Sequence, residues 1–202
     1  MRSSLLSLTA LIPTLALGAP LEARAITKAI IKSVSAIGTG CPTPGSTVRS
    51  ISSDGWTAAI GYTEFASNEI GNNEACTLSL NYEVVIPSDG KADLELQVWS
   101  IAYYNAGPET QPRLTATLTQ NLAFGGKANS TRTTLSPEAS GRADTRIKLS
   151  VSGAAGSTVS GSATATIEGL ITGGSSGPSV ADLQVESSHF NFLPLPPAEG
   201  GN

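Results

Sequence analysis

The chain has one histidine, His189, and two cysteines, Cys41 and Cys76, among its 202 residues. That scarcity removes much of the usual chemistry. A zinc site of His and Cys lacks ligands, because there is no third thiol. A Ser-His-Asp triad would have to use His189. Its setting, "SSHFNF", reads instead as a surface histidine on the last strand, facing away from Phe190 and Phe192. Charged residues are also few, at 14%, and the net charge is −4. No basic patch exists, so nucleic acid and anionic membranes are not expected partners. After the first 20 residues no apolar run approaches membrane-spanning length, so membrane insertion is not expected. Carboxylates such as Glu64, Glu83, Asp93 and Glu95 are scattered without the spacing of a calcium loop. Neither a metal nor a cofactor is expected.

Glycine, serine and threonine fill the space that charge leaves, while 40% of residues are apolar, enough for a core. This balance suits a β-rich extracellular protein whose solvent-facing strand positions are hydroxylated. The length suits one domain. Arg2, the apolar stretch Leu5 to Leu17, and the small residues Gly18 and Ala19 read as a signal peptide over 1–19, with cleavage placed between 18 and 25. A buried N-terminal helix is the other reading of that stretch. A short segment, 20–30, would then lead to one domain over 31–193, with a disordered tail at 194–202. In an oxidising compartment Cys41 and Cys76 are expected to pair, with two buried free thiols as the alternative. A loop of about 35 residues would give roughly 3.8 kcal/mol of stabilisation in the chain-entropy model.

The pattern along the chain is strand after strand. Trp56, Ala58, Ile60 and Tyr62 share one face of "WTAAIGYTEF". Cys76, Leu78, Leu80, Tyr82 and Val84 share one face of "CTLSLNYEVVIP". Ala92, Leu94, Leu96 and Val98 do so in the next segment, and Leu114, Ala116 and Leu118 in the one after. Turns fall at "SSDG", "PSDG" and Gly125-Gly126. Residues 67–74 and 105–112 read as polar loops, 127–142 as a long loop, and 173–179 as a flexible link. No sustained helical period appears. The expected fold is all-β: an antiparallel β-sandwich of about nine or ten strands with one disulfide. On this reading Cys41 staples a glycine- and proline-rich loop to the inward end of a core strand.

The stretch "IKSVSAIGTGCPTPGSTVRSISSDGWTAAIGYTEFAS" and the later "CTLSLNYEVVIPSDG" resemble the domain-of-unknown-function 4360 family of small secreted, mainly fungal proteins. The matching positions are Gly38, Gly40, Cys41, Pro42, Gly45, Val48, Ser53, Asp54, Phe65, Cys76, Leu78, Leu80, Pro87 and Gly90. The resemblance covers 31–90 well and is thin over 91–193. Basic residues usual before the second cysteine are replaced here by "NNEA", and a late Trp-x-x-Cys-Gly segment is absent. The resemblance implies secretion and a β-sandwich, and it implies no reaction.

Binding is easier to motivate than catalysis. "VWSIAYYNAG" sets Trp99, Tyr103, Tyr104 and Asn105 beside a polar loop. Trp99 is out of phase with Leu94, Leu96 and Val98, so it is expected to face outward and offer an aromatic surface for a sugar or a protein. The competing reading buries these aromatics between the sheets. Asn129-Ser130-Thr131 is an N-glycosylation acceptor. The expectation is a secreted, monomeric, non-catalytic protein, extracellular or cell-wall associated, with an unidentified glycan or protein partner. A lectin-like wall-glycan module is the alternative. A hydrolase, which needs two carboxylates about 5–10 Å apart in a cleft, is the third reading.

Overall fold

The computed structural model describes residues 29–67, 70–106, 114–173 and 181–195. The expected signal peptide, most of the 20–30 segment, nearly all of the 173–179 link and most of the tail and the 105–112 loop lie outside them. Eleven strands run through the described residues: β1 Ala29–Ile37, β2 Thr47–Ile51, β3 Thr57–Tyr62, β4 Ala66–Ser67, β5 Asn73–Val85, β6 Lys91–Ala106, β7 Leu114–Phe124, β8 Lys127–Leu135, β9 Ala139–Ser152, β10 Thr158–Gly173 and β11 Ala181–Pro194. All pairings are antiparallel. They form one sheet in the order β1-β5-β10-β7-β8 and a second in the order β2-β3-β11-β6-β9, with β4 paired to β11. The two sheets pack as the expected sandwich.

Alternation in the sequence becomes burial. Cys76, Leu78, Leu80 and Val84 of β5 are fully enclosed, as are Leu96 and Val98 of β6 and Ala116 and Leu118 of β7. Tyr82, Phe124 and Phe192 meet between the sheets with ring centroids 5.2 to 6.0 Å apart. Such tilted pairs add to what area burial alone supplies.

The expected loop over 127–142 is instead β8 and the start of β9. Its sequence, "KANSTRTTL", has no apolar alternation because β8 is an edge strand exposed along most of its length. The alternation is carried by hydrogen bonds. Lys127 Nζ, Asn129 Nδ2, Thr131 Oγ1 and Thr133 Oγ1 donate to the carbonyls of Lys148, Arg146, Asp144 and Arg142 at 2.7, 3.1, 2.8 and 3.1 Å. Every second side chain of β8 thus reaches a carbonyl of β9, the edge strand of the other sheet. An edge that would otherwise offer unpaired groups to another chain is closed in this way.

Cys41 and Cys76 form the disulfide, with Cα atoms 5.5 Å apart. The glycines flanking Cys41 follow from how closely the loop is drawn in. A Cβ on Gly38, whose φ is +152°, would lie 2.2 Å from the Ala75 carbonyl oxygen. One on Gly40 would lie 2.5 Å from the Phe65 ring. Freed of side chains, the loop docks on β5: Gly40 N–H donates to Ala75 O at 2.9 Å, and Ala75 N–H donates to Thr39 Oγ1 at 3.0 Å.

A polar chain crosses the apolar interior. Tyr62 OH donates to Ser188 Oγ at 3.0 Å, and Ser188 Oγ lies 2.7 Å from Ser100 Oγ. Ser100 Oγ donates to Gln120 Oε1 at 2.7 Å, while Gln120 Nε2 donates to Val98 O and Thr145 Oγ1 at 2.7 and 2.9 Å. Desolvation pushes the Tyr62 phenol above the usual tyrosine range, and its bond to Ser188 offsets part of the rise. Tyr104 OH, by contrast, is buried without a partner among the described residues.

Candidate functional site

The outer face of the second sheet carries the site. β6 runs unbroken from Lys91 to Ala106, so parity decides every side chain on it. Even positions point inward, and Tyr104 is fully buried among them. The expectation that Tyr104 belongs to a surface site is therefore corrected. It shares the phase of Leu94, Leu96 and Val98, and that phase was the signal that could have placed it. Trp99, Tyr103 and Asn105 share the outer phase, with Trp99 and Tyr103 half-buried and Asn105 exposed. Four residues of strand separate Trp99 from Tyr103, about 13 Å, so the two rings are not side by side. Asn129 is exposed on β8, in a strand and not in the loop expected for it. Its Nδ2 donates to Arg146 O.

Trp99 is held from the strands on both sides of β6. On β11, His189 pairs in register with Trp99, and the two rings stack at 4.9 Å with planes 6° apart. From β9, the Arg142 guanidinium carbon sits 4.9 Å from the indole centroid, a cation–π contact. The indole faces outward as expected, yet its faces are engaged within the protein. It acts as the core of a three-tier stack rather than as an open platform. Arg142 Nη2 is fixed in turn by Asp144 Oδ2 at 2.8 Å, and Asp144 accepts from Gln97 Nε2 at 2.7 and 3.0 Å. Beyond lies a ladder in which Arg146 and Lys148 approach Glu95 at 3.8 and 3.6 Å.

A groove of about 350 Å³ lies beside the stack. Trp99 and His189 form one wall, Ser50 and Ile51 of β2 the other, and Thr57 and Ala59 of β3 lie between them. The register explains the depression. His189 pairs with Ala59, and Ala59 with Ser50, so large aromatic, small and small side chains succeed one another across three strands. The next outward residue on β3 is Gly61, over which a Cβ would touch nothing within 4 Å. No carboxylate lines the groove. Among the described residues no cluster of three metal-binding side chains occurs.

His189 is the titratable group of this wall. Desolvation, then the charge of Arg142, lowers its pKa below the usual histidine value. Its Nε2 lies 3.1 Å from Ser187 Oγ. The folded state therefore resists a proton that the unfolded chain accepts near pH 6.5. The sign follows: His189 costs nothing above that pH, and stability falls as pH drops through 6.5 toward the folded-state value. Urea midpoints at pH 7.5 and 5.5 are expected to differ more for the parent protein than for His189→Gln. Equal differences would show that His189 is solvated like a free imidazole.

A comparison with curated proteins finds no match. Among solved structures, the chain is similar to the enzymatically active domain of tailspike protein 4 from bacteriophage CBA120, at 10% identity and a TM-score of 0.25. That similarity covers 84% of this chain and 20% of the tailspike chain, and at such a score no fold or activity is transferred. The profile of a domain of unknown function, DUF4360, matches residues 27–177. That span takes in all of β1 to β10, both cysteines and the glycines packed against them, so the chain belongs to the domain-of-unknown-function 4360 family.

Proposed function

We propose that this protein is a secreted, monomeric, non-catalytic binding protein that takes a neutral glycan of the extracellular space or cell wall. The observation that carries the reading is the groove between the Trp99–His189 wall and β2. Its volume is at the lower end of those that hold small ligands. An aromatic wall beside small side chains admits a flat, ring-shaped ligand, and hydroxyls of Ser50 and Thr57 are available at its margin. The absence of carboxylates from its lining favours binding over a two-carboxylate hydrolysis. The disulfide supports an oxidising compartment.

The test is a pull-down of the oxidised protein on insoluble β-glucan, cellulose and chitin. Trp99→Ala removes the centre of the stack, and Ala59→Trp fills the groove from the β3 side. In a protein whose opposite sheet face is blocked by Ala123→Phe, both are expected to cut retention at least tenfold, while Tyr103→Ala, about 13 Å along β6, leaves it unchanged. Retention that survives Ala59→Trp in that background would sink this site. Failure to bind any glycan, with capture of an extracellular protein instead, would turn the reading to a protein partner.

A further inference from the structure

The outer face of the first sheet holds a second depression, of about 510 Å³, over β10, β7 and β8. Register builds it from two adjacent rows. In one, Thr164 pairs with Ala123 and Ala123 with Ala128, so methyl groups form the floor. In the next, Thr166 pairs with Asn121 and Asn121 with Ser130, so an amide and hydroxyls form a wall. Asn121, Ser130 and Thr164 are exposed, and their side chains bond to no described residue. The lining carries no charge. The nearest charged row, Glu168 and Arg132, lies one outward position further along the strands.

We infer that this trough is a second ligand site, and that its occupant is a neutral oligosaccharide. An anionic or cationic ligand would be desolvated there without a counter-charge. A purely apolar ligand would cover the amide of Asn121 and the hydroxyls of Thr164 and Ser130 without replacing the water they bond. A neutral chain of hydroxylated rings meets both conditions. Its apolar ring faces lie on Ala123 and Ala128, and its hydroxyls exchange hydrogen bonds with Asn121, Ser130 and Thr164. The two depressions open on opposite faces of the sandwich, so one molecule bridges two polysaccharide strands. Only the ligand class is shared with the reading of the Trp99 groove; the trough needs none of that groove's residues.

The experiment is calorimetric titration of the oxidised protein, produced without N-glycosylation so that Asn129, which also lines the trough, is unmodified, with cellohexaose and with chitohexaose. The variants are Trp99→Ala, the pair Asn121→Ala and Ser130→Ala, and Ala123→Phe. The Asn121/Ser130 pair removes exposed groups with no partner among the described residues, so stability is expected to hold, with circular dichroism melting as the check. One hexamer is expected to bind at the trough, with affinity falling at least tenfold in the Asn121/Ser130 pair and in Ala123→Phe, and unchanged in Trp99→Ala. Two ligands per chain, or one at the trough and none at the groove, would each support the inference. The second result would also remove the Trp99 site. Binding of neither hexamer, or binding lost with Trp99→Ala and indifferent to Asn121 and Ser130, overturns it.

Discussion

Replacing both Cys41 and Cys76 with alanine is expected to lower unfolding stability by about 3.8 kcal/mol, the chain-entropy value for a loop of this length. Both half-cystines are within 2% of complete burial, so alanine also leaves a small void. Serine in their place is expected to cost more, since it buries two hydroxyls where the packing is apolar. The loss is large against the 5–15 kcal/mol typical of whole domains. Guanidinium unfolding of the double alanine variant measures it directly. A loss under about 1 kcal/mol would mean that the hydrogen bonds of Gly40 and Thr39 to Ala75 hold the loop without the sulfur bridge.

The second large effect is expected at Gln120. Its side chain is fully buried on β7 and bonds Ser100, Val98 and Thr145 in the facing sheet. Gln120→Leu keeps the volume and removes three hydrogen bonds, leaving buried groups short of partners. A cost of about 3 kcal/mol follows. Ser100 keeps Ser188 and Thr145 keeps Thr131, which limits the damage. Removing the partners as well, in Gln120→Leu with Ser100→Ala and Thr145→Val, is expected to recover most of the loss, because matched apolar replacement is nearly neutral. Denaturant midpoints of the single and triple variants decide the matter. A triple variant no more stable than the single one would show that the hydrogen bonds are not what Gln120 contributes.

Tyr104 and Trp99 show where sequence reasoning reached its limit at the site. The period-two pattern of β6 carried the outward orientation of Trp99, and it equally assigned Tyr104 to the core. The strand continues to Ala106, and burial continues with it. What surrounds Trp99 could not be read from periodicity. His189 is 90 positions further along the chain, and Arg142 lies in a segment expected to be a loop. They meet the indole only because β11 and β9 flank β6.

The same division runs through the fold. The alternation of β5, β6 and β7 and the turn residues between strands were enough to determine an antiparallel sandwich. Apolar side chains recurring at every second position leave water together when two sheets pack their apolar faces. The two cysteines led to the expectation of a disulfide, and the structure forms it. Strand order was decided by tertiary structure, since pairing between distant strands depends on which faces and edges remain after packing. β8 shows this most plainly. Its polar residues carry no burial signal; they form a strand by pairing with β7 along its length, and their side chains reach the carbonyls of β9. Both depressions belong to that level too, for each is a sequence of small and large side chains read across strands, a direction in which the linear chain has no order.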